Sequence, residues 1–407
     1  MKNPRKVSAN KRIIKTIDAT EMRGINRSAI LELIRCNGPI SRSQIAEELQ
    51  VSLPTVIRIV DDLVEEELVR TTGQKEWSGG RKRSLVEFNG KEHLVLGIDL
   101  GGTKIYGAVA NLAGDLLYEN TYTHHQSQAE GSFIVLCEAI DHLISFAGQE
   151  GHPLRGIGIG IPGIIDPGTG IVKLAPSLDW IDFPLRQRLS ERYPYPLALE
   201  NDVNLAALGE LWFGTEREEQ DLVLISIGTG IGAGVVINGM VYSGAHHMAG
   251  EIGYLIPDRS SLDHKYPGFG AFELLASGTG IVERARQTLQ GQRSAIELEA
   301  LTSEEVFSAS RRMEPWAVQV LGETVDYLAQ AICAISLVFD PHVIILGGGV
   351  ARSADLLIEP IQRRLQGVMP TVPEIKASAL GYRAAVYGGI VQLLRITSNY
   401  YMLQKFV

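Results

Sequence analysis

Three glycine-bearing segments have the composition of loops that could meet phosphate. Asp99-Leu-Gly-Gly-Thr-Lys104 closes an apolar run with paired glycines. Backbone N–H groups at Gly101, Gly102 and Thr103, with Lys104 beside them, can approach an anion closely there. The adjacent Asp99 carboxylate can position a hydrated Mg²⁺. Gly228-Thr-Gly-Ile-Gly-Ala-Gly234 supplies an opposing loop led by Gly228, Thr229 and Gly230. Gly347-Gly-Gly349 would leave room for a nucleoside at Gly347 and Gly348. Any one of these could instead be only a tight hairpin. Gly158-Ile-Gly-Ile-Pro-Gly163 spells GxGxxG, yet Ile-Ile-Asp-Pro-Gly follows it where a pyrophosphate site needs a helix. No GxxxxGK[ST] sequence occurs.

A second chemistry is suggested near the N-terminus. Ser52, Thr55 and Arg58 lie off the apolar stripe Val56, Ile59, Val60, Leu63, so they can enter a major groove. Arg42 and Ser43 open the preceding helix, where backbone phosphates pass. Arg81-Lys-Arg83 follows Gly79-Gly80, and these three cations could enter a neighbouring minor groove or simply face solvent.

The elements that must position these residues follow from the pattern. Residues 21–36 are helical and stop at Asn37-Gly38-Pro39. Ser41-Arg-Ser-Gln44 forms a capping box for a short helix burying Ile45, Ala46 and Leu49. A third helix begins near Pro54. Residues 68–72 and 84–88 form a hairpin whose tip, 77–83, holds the three cations. These elements make a winged helix-turn-helix. Beyond it, strands 94–100 and 105–111, with a third after the turn at 113–115, precede a helix at 130–148 and a strand at 155–161. A comparable unit recurs as strand 222–227, loop 228–234, strand 235–237 and a turn at 238–239. Long helices follow at 271–289 and 315–339. Strand 343–346 and two further helices complete the chain. Two such units imply an internally duplicated α/β body with a cleft between its halves.

Composition bounds the rest. At 407 residues the chain exceeds one ordinary domain, and 45% hydrophobic residues support a sizeable core. No uninterrupted apolar run approaches the roughly 20 residues that span a bilayer. The basic N-terminus lacks a secretory apolar stretch. Three scattered cysteines fit a reducing cytosol, so a cytoplasmic protein with no membrane partner is expected. Residues 1–93 carry a net charge of +4 and the remainder −13. A basic front on an acidic body suggests that the front meets a polyanion.

The chain resembles the ROK family (repressor, open reading frame, kinase). The motifs are Met22-Arg-x-x-Asn26-Arg-Ser, Gly38-Pro-Ile-Ser-Arg42, Gly97-Ile-Asp-Leu-Gly-Gly-Thr-Lys104, Glu200-Asn-Asp202, Gly228-Thr-Gly-Ile-Gly232, Ala249-Gly-Glu-Ile-Gly253, Glu273-x-x-x-Ser277-Gly and Gly347-Gly-Gly. The resemblance covers roughly residues 20–395. It implies a winged helix-turn-helix (α+β) over 1–90 and, over 91–407, a duplicated α/β actin-like ATPase or sugar-kinase fold of ribonuclease H-like type.

By the same resemblance Asn201, Asp202, Glu251, Tyr254 and Glu273 match sugar-binding positions. Asp202 matches the general base of the kinases, its alternative being to cap the helix that Asn201 or Asp202 begins. Two departures stand out. The family's zinc histidine is Tyr254, and the segment of its zinc cysteines reads His264-Lys-Tyr-Pro-Gly-Phe-Gly-Ala271, without a thiol. Structural zinc is therefore not expected, and His246 and His247 fit loop residues better than ligands. Ser177 stands where the family often has a sugar-binding asparagine. These features imply a transcriptional regulator, a repressor of carbohydrate genes, acting on double-stranded operator DNA as a homodimer or higher homo-oligomer and answering a sugar effector. The alternative is an ATP-dependent sugar kinase with a DNA-binding appendage. No cofactor is expected to be obligatory, though Mg-ATP has a place.

Overall fold

The computed structural model describes residues 19–78, 81–123, 129–215, 220–266 and 270–397, the side chains of 19–21 and 74–83 excepted. They form two compact units, one ending at Phe88 and the next beginning at Asn89.

The first unit runs α1 (Ala19–Asn37), β1 (Ile40–Ser41), α2 (Arg42–Glu48), α3 (Leu53–Glu65), β2 (Val69–Ser78) and β3 (Arg81–Phe88). Helix α1 stops because the chain folds back at Gly38, whose N–H reaches the Ile34 carbonyl at 2.9 Å. A Cβ at Gly38 would stand 2.5 Å from that oxygen. The expected capping box is present: Ser41 Oγ accepts from Gln44 N, and Gln44 Oε1 accepts from Ser41 N. Helix α3 starts at Leu53, with Ser52 as its cap and Pro54 in its first turn. Val56, Ile59, Val60 and Leu63 are buried, as are Ile30, Ile34 and Ile45 of the same unit. The hairpin is longer than expected. Lys82 pairs with Trp77 and Arg81 with Ser78, so the three cations lie on strand β3 and not in its tip. Strand β1 adds a third member to this sheet, Ile40 opposite Val86, which two residues were too short to signal.

The second unit is built twice from one plan. Strands β4 (Leu94–Leu100), β5 (Lys104–Asn111) and β6 (Leu116–Thr123) form an antiparallel meander, followed by α4 (Ala129–Ala147) and β7 (Leu154–Ile161). A small sheet of β8 (Ile164–Asp166), β9 (Ile171–Ala175) and β10 (Trp180–Phe183) intervenes before α5 (Leu185–Ser190), β11 (Leu197–Asn201) and α6 (Asp202–Phe213). The plan restarts with β12 (Leu222–Ile227), β13 (Ile231–Ile237) and β14 (Met240–Val241). Helices α7 (Glu273–Ala276), α8 (Gly278–Thr288), α9 (Ala295–Glu299), α10 (Ser303–Arg311) and α11 (Pro315–Phe339) follow. The chain then forms β15 (Val343–Gly347), α12 (Ile358–Leu365), β16 (Glu374–Ala377) and α13 (Ala384–Thr397). The first sheet has the order β11-β7-β4-β5-β6 and the second, read from its far edge, β16-β15-β12-β13-β14. In both, the meander is antiparallel and the two added strands are parallel, so the duplication is one of topology.

Three sequence expectations change here. Strand β13 begins at Ile231, because Gly232 and Gly234 pair with Ser226 and Leu224, so the loop is only Gly228–Gly230. The helix expected over 271–289 is two helices, since Ser277 is extended and caps the second through Gly280 N. The small β8–β10 sheet has no counterpart in the expected elements. Helix α11 is long and apolar enough to cross a membrane, yet ten of its residues are buried, seven of them in the hydrophobic core of the second lobe, the half built on β12–β16.

Helix α6 packs on both large sheets and crosses α13. That crossing requires missing side chains: a Cβ at Gly388 would lie 1.8 Å from the Leu205 carbonyl, and one at Gly209 2.1 Å from that of Ala384. The GxGxxG segment has a packing explanation as well. A Cβ at Gly158 would meet Gly389 Cα at 2.8 Å, and β8 follows where a dinucleotide site needs a helix.

Candidate functional site

Helix α6 aims the central residues. Asn201 is its cap, with Oδ1 accepting from Asn204 N at 3.0 Å and Nδ2 donating to the Gly163 carbonyl at 3.0 Å. The capping duty therefore falls on Asn201, and Asp202 enters the first turn with one oxygen accepting from Val203 N at 3.0 Å. Below them the buried Glu200 accepts from Asn201 N and from Asn204 Nδ2, which fixes the strand-to-helix corner. Gly160 allows Asp202 its place: a Cβ there would stand 3.0 Å from Asp202 Cα. Gly160 is also the register partner of Asp99 on β4, so the glycine brings the two aspartates to one corner.

A cleft of about 280 Å³ opens above this corner. From the first lobe it takes Gly101, Gly102, Thr103, Gly163 and Ser177, with Pro162, Ile164, Leu174 and Pro176 as an apolar wall. Asn201 and Asp202 form its floor, and the second lobe adds Gly228, Thr229, Gly230, Glu251, Tyr254 and Glu273. An adjoining cavity of about 70 Å³ is lined by Asp99, Asp202, Ser226, Gly347, Gly348 and Tyr382. The expected residues are thus gathered in two neighbouring spaces and not in one. Lys104 is the exception. It lines neither space and is exposed at the start of β5.

Both phosphate-type loops are tight hairpins as well as cleft walls. Gly101 N bonds the Lys104 carbonyl, and Gly228 N bonds that of Gly230, each at 2.9 Å. A Cβ at Gly228 or Gly349 would meet nothing within 4 Å, so those two backbones face open space. Gly348 has φ +77° and would drive a Cβ to 2.5 Å from the Ile227 carbonyl, so its glycine serves the backbone.

Four carboxylates crowd this region. Burial pushes Asp99 and Asp202 above the usual carboxylate range, and for Asp99 repulsion by Asp202 adds to it. Glu251 is pushed up to about 7 by burial, then by Asp202 and Glu273. Glu273 is also raised by burial, though Ile231 N donates to its Oε2 at 3.0 Å and opposes the shift. A Cβ at Gly230 would lie 2.7 Å from that oxygen, so the glycine makes room for it. Tyr254 lines the cleft with 43% of its surface exposed, its phenol raised by burial and by Glu251 and Glu273. Sequence reasoning missed the apolar wall from β8 and β9, although Gly163 and Pro167-Gly168 mark the turns that form it.

The donors at the family's zinc position do not fit the metal. Tyr254 and His264 are there, His264 Nδ1 lies 3.0 Å from the Ser260 carbonyl, and Cys36, Cys137 and Cys333 are elsewhere. Among the described residues no group of three or more His, Cys, Asp or Glu could hold a metal ion.

On the first unit, Arg58 is exposed on α3. Ser52 and Thr55 hydroxyls bond each other at 2.7 Å, and Arg42 pairs with Asp61 at 2.7 Å. Ser43 is half-buried at the start of α2. The side chains of Arg81, Lys82 and Arg83 lie outside the described residues.

The sequence profile of the ROK family matches residues 95–394. The chain belongs to the ROK family. A winged helix-turn-helix DNA-binding profile matches residues 25–70, so this ROK protein carries a DNA-binding head. The chain is 34% identical over 308 residues to a glucokinase of Halalkalibacterium halodurans, covering 72% of this chain and 93% of the enzyme. It is 29% identical over 376 residues to the xylose repressor of Bacillus subtilis, covering 91% of this chain and 95% of that protein. The crystal structure of a ROK family transcriptional regulator, a homologue of the E. coli MLC protein, superposes with a TM-score of 0.81 at 23% identity, over 93% of this chain and 98% of that one. The glucokinase matches a smaller part of this chain than the repressor does. The ROK protein is a DNA-binding transcription regulator.

Proposed function

We propose that the effector is an unphosphorylated sugar held in the 280 Å³ cleft by Asn201, Asp202, Glu251, Tyr254 and Glu273. The protein is a sugar-responsive transcriptional repressor of carbohydrate genes. The observation that carries the effector's class is charge: the described residues lining the cleft include three carboxylates and no lysine, arginine or histidine. Carboxylates and an amide suit neighbouring hydroxyls, whereas a phosphate dianion would meet uncompensated negative charge. Glu273 already occupies the Ile231 amide at the loop where an anion would seek a donor. The cleft lies between two lobes, so a sugar that binds the closed arrangement better shifts the population toward it. In a homodimer that shift alters the spacing of two DNA-binding heads.

On this reading no structural zinc is held, and Mg-ATP is not obligatory. When bound, Mg-ATP supplies a phosphoryl group, and Asp99, Gly101, Gly102, Thr103, Gly228, Thr229, Gly230, Gly347 and Gly348 are the residues that would hold it. A second reading, residual kinase activity, is favoured by Asp202, a carboxylate of raised pKa left largely clear of capping, which can take a proton from a sugar hydroxyl. The experiment is calorimetry of xylose, glucose and N-acetylglucosamine against glucose 6-phosphate and N-acetylglucosamine 6-phosphate. Binding of a free sugar at least about tenfold tighter than any phosphate supports the reading, and the opposite order defeats it.

A further inference from the structure

The exposed residues at the start of α3 include an apolar group beside Arg58 and Asp61. Leu53 and Ile57 each expose 41% of their surface, and Pro54 beside them is exposed. Leu53 and Ile57 stand at the edge of the buried stripe Val56, Ile59, Val60 and Leu63, all at most 1% exposed, and Pro54 lies on the outward side. The part of Leu53 and Ile57 that stays in water gains nothing from folding and is free to be buried against a ligand.

The polar groups around these side chains are already paired. Ser52 and Thr55 hydroxyls bond each other, and Ser52 Oγ also accepts from Thr55 N. Asp61 is held by Arg42 and Asp62 by Arg23, each at 2.7 Å. No asparagine or glutamine lies on α3, so two-point amide contacts to adenine are absent from it. Arg58 is the exposed cationic donor on this helix, one turn beyond Pro54.

Residues at the start of such a helix face base edges in a helix-turn-helix, and the apolar feature of the major groove is the thymine 5-methyl group. We propose that Leu53, Pro54 and Ile57 read thymine methyls, so that each half-site carries a cluster of thymines beside the base pair met by Arg58. Specificity at those positions comes from burying methyl carbon and not from hydrogen bonds.

Deoxyuridine pairs as thymidine does and lacks only that methyl, which makes the test atomic. Duplexes that bind the full chain are first selected from a random pool, and the best is remade with deoxyuridine at single thymines. Affinity is expected to fall about fourfold for each methyl group that a side chain had covered, at two or more positions per half-site. Ile57→Ala and Leu53→Ala, checked for folding by circular dichroism, should each bind thymine and uracil duplexes within about twofold of each other at the position that the lost side chain had covered. Ile57→Leu should keep the thymine preference. The proposal is overturned if uracil substitution leaves wild-type affinity unchanged. It is equally overturned if the preference persists undiminished in both alanine variants, which would place methyl recognition elsewhere. Neither result touches the sugar reading.

Discussion

Glu273 and Ile231 are joined by a hydrogen bond of 3.0 Å from the amide of β13 to the carboxylate at the start of α7. The bond ties a loop of one hairpin to a residue 42 positions later and places a negative charge where a phosphate-binding turn would offer a donor. Gly230 and Gly253 leave the room it needs, since a Cβ at either would lie within about 3.1 Å of the same oxygen.

Glu273→Gln keeps an oxygen for the amide and removes the charge. Sugar affinity is expected to fall about 10–100-fold, the worth of a charge-assisted hydrogen bond, while the relative affinity for sugar phosphates rises. Calorimetry on both ligand sets checks it. Unchanged ligand ratios would remove the electrostatic argument.

The raised carboxylates make stability pH-dependent in a definite sense. Glu251 titrates near 7 in the folded chain and near the ordinary glutamate value of 4.5 when unfolded. Between these values the unfolded chain releases its proton first, so stability falls as pH rises through that window. Glu251→Gln should therefore raise the melting temperature at about pH 8 and leave it nearly unchanged at about pH 4.5, read by calorimetric scans at both. A gain that is equal at the two pH values would contradict the burial argument.

Asn201 carries a structural duty beside its place in the cleft. Asn201→Ala removes the cap of α6 and the bond to Gly163, and is expected to cost about 0.5–2 kcal/mol in urea unfolding. Asn201→Ser keeps a capping oxygen without adding a charge and should lose less.

Arg58→Ala should weaken operator binding by about 1–3 kcal/mol and relax preference at one base pair, without changing sugar affinity. Competitive gel shifts with single-base operator variants measure this. A uniform loss across all variants would make Arg58 a phosphate contact.

Much of this was legible in the sequence because local patterns and global fold agree. The Ser41–Gln44 capping box, the stripe Val56 to Leu63 and the repeat of strand, glycine loop and strand all carry short-range signals. What escaped did so for physical reasons. Gly232 and Gly234 suggested a long loop, yet their strand passes against α6, where a Cβ at Gly234 would meet the Val203 carbonyl at 2.5 Å. Ser277 inside an apparent helix is a second cap, visible only once the backbone extends there. Lys104 fits the composition of a phosphate loop, but it is exposed at the start of β5 and lines neither cavity. The apolar wall of β8 and β9 comes from strands of three and five residues, too short for periodicity to declare.

The central claim is one linkage: filling a carboxylate-lined cleft changes how the winged helix-turn-helix holds DNA. The direct measurement is the dissociation constant for duplex DNA from the chain's own upstream region, at fixed moderate salt, with and without each free sugar and its phosphate. At least one free sugar is expected to shift that constant about tenfold or more, an effect that Glu251→Gln and Glu273→Gln abolish. A constant that no saccharide moves, in a protein that calorimetry shows to bind the sugar, would contradict it.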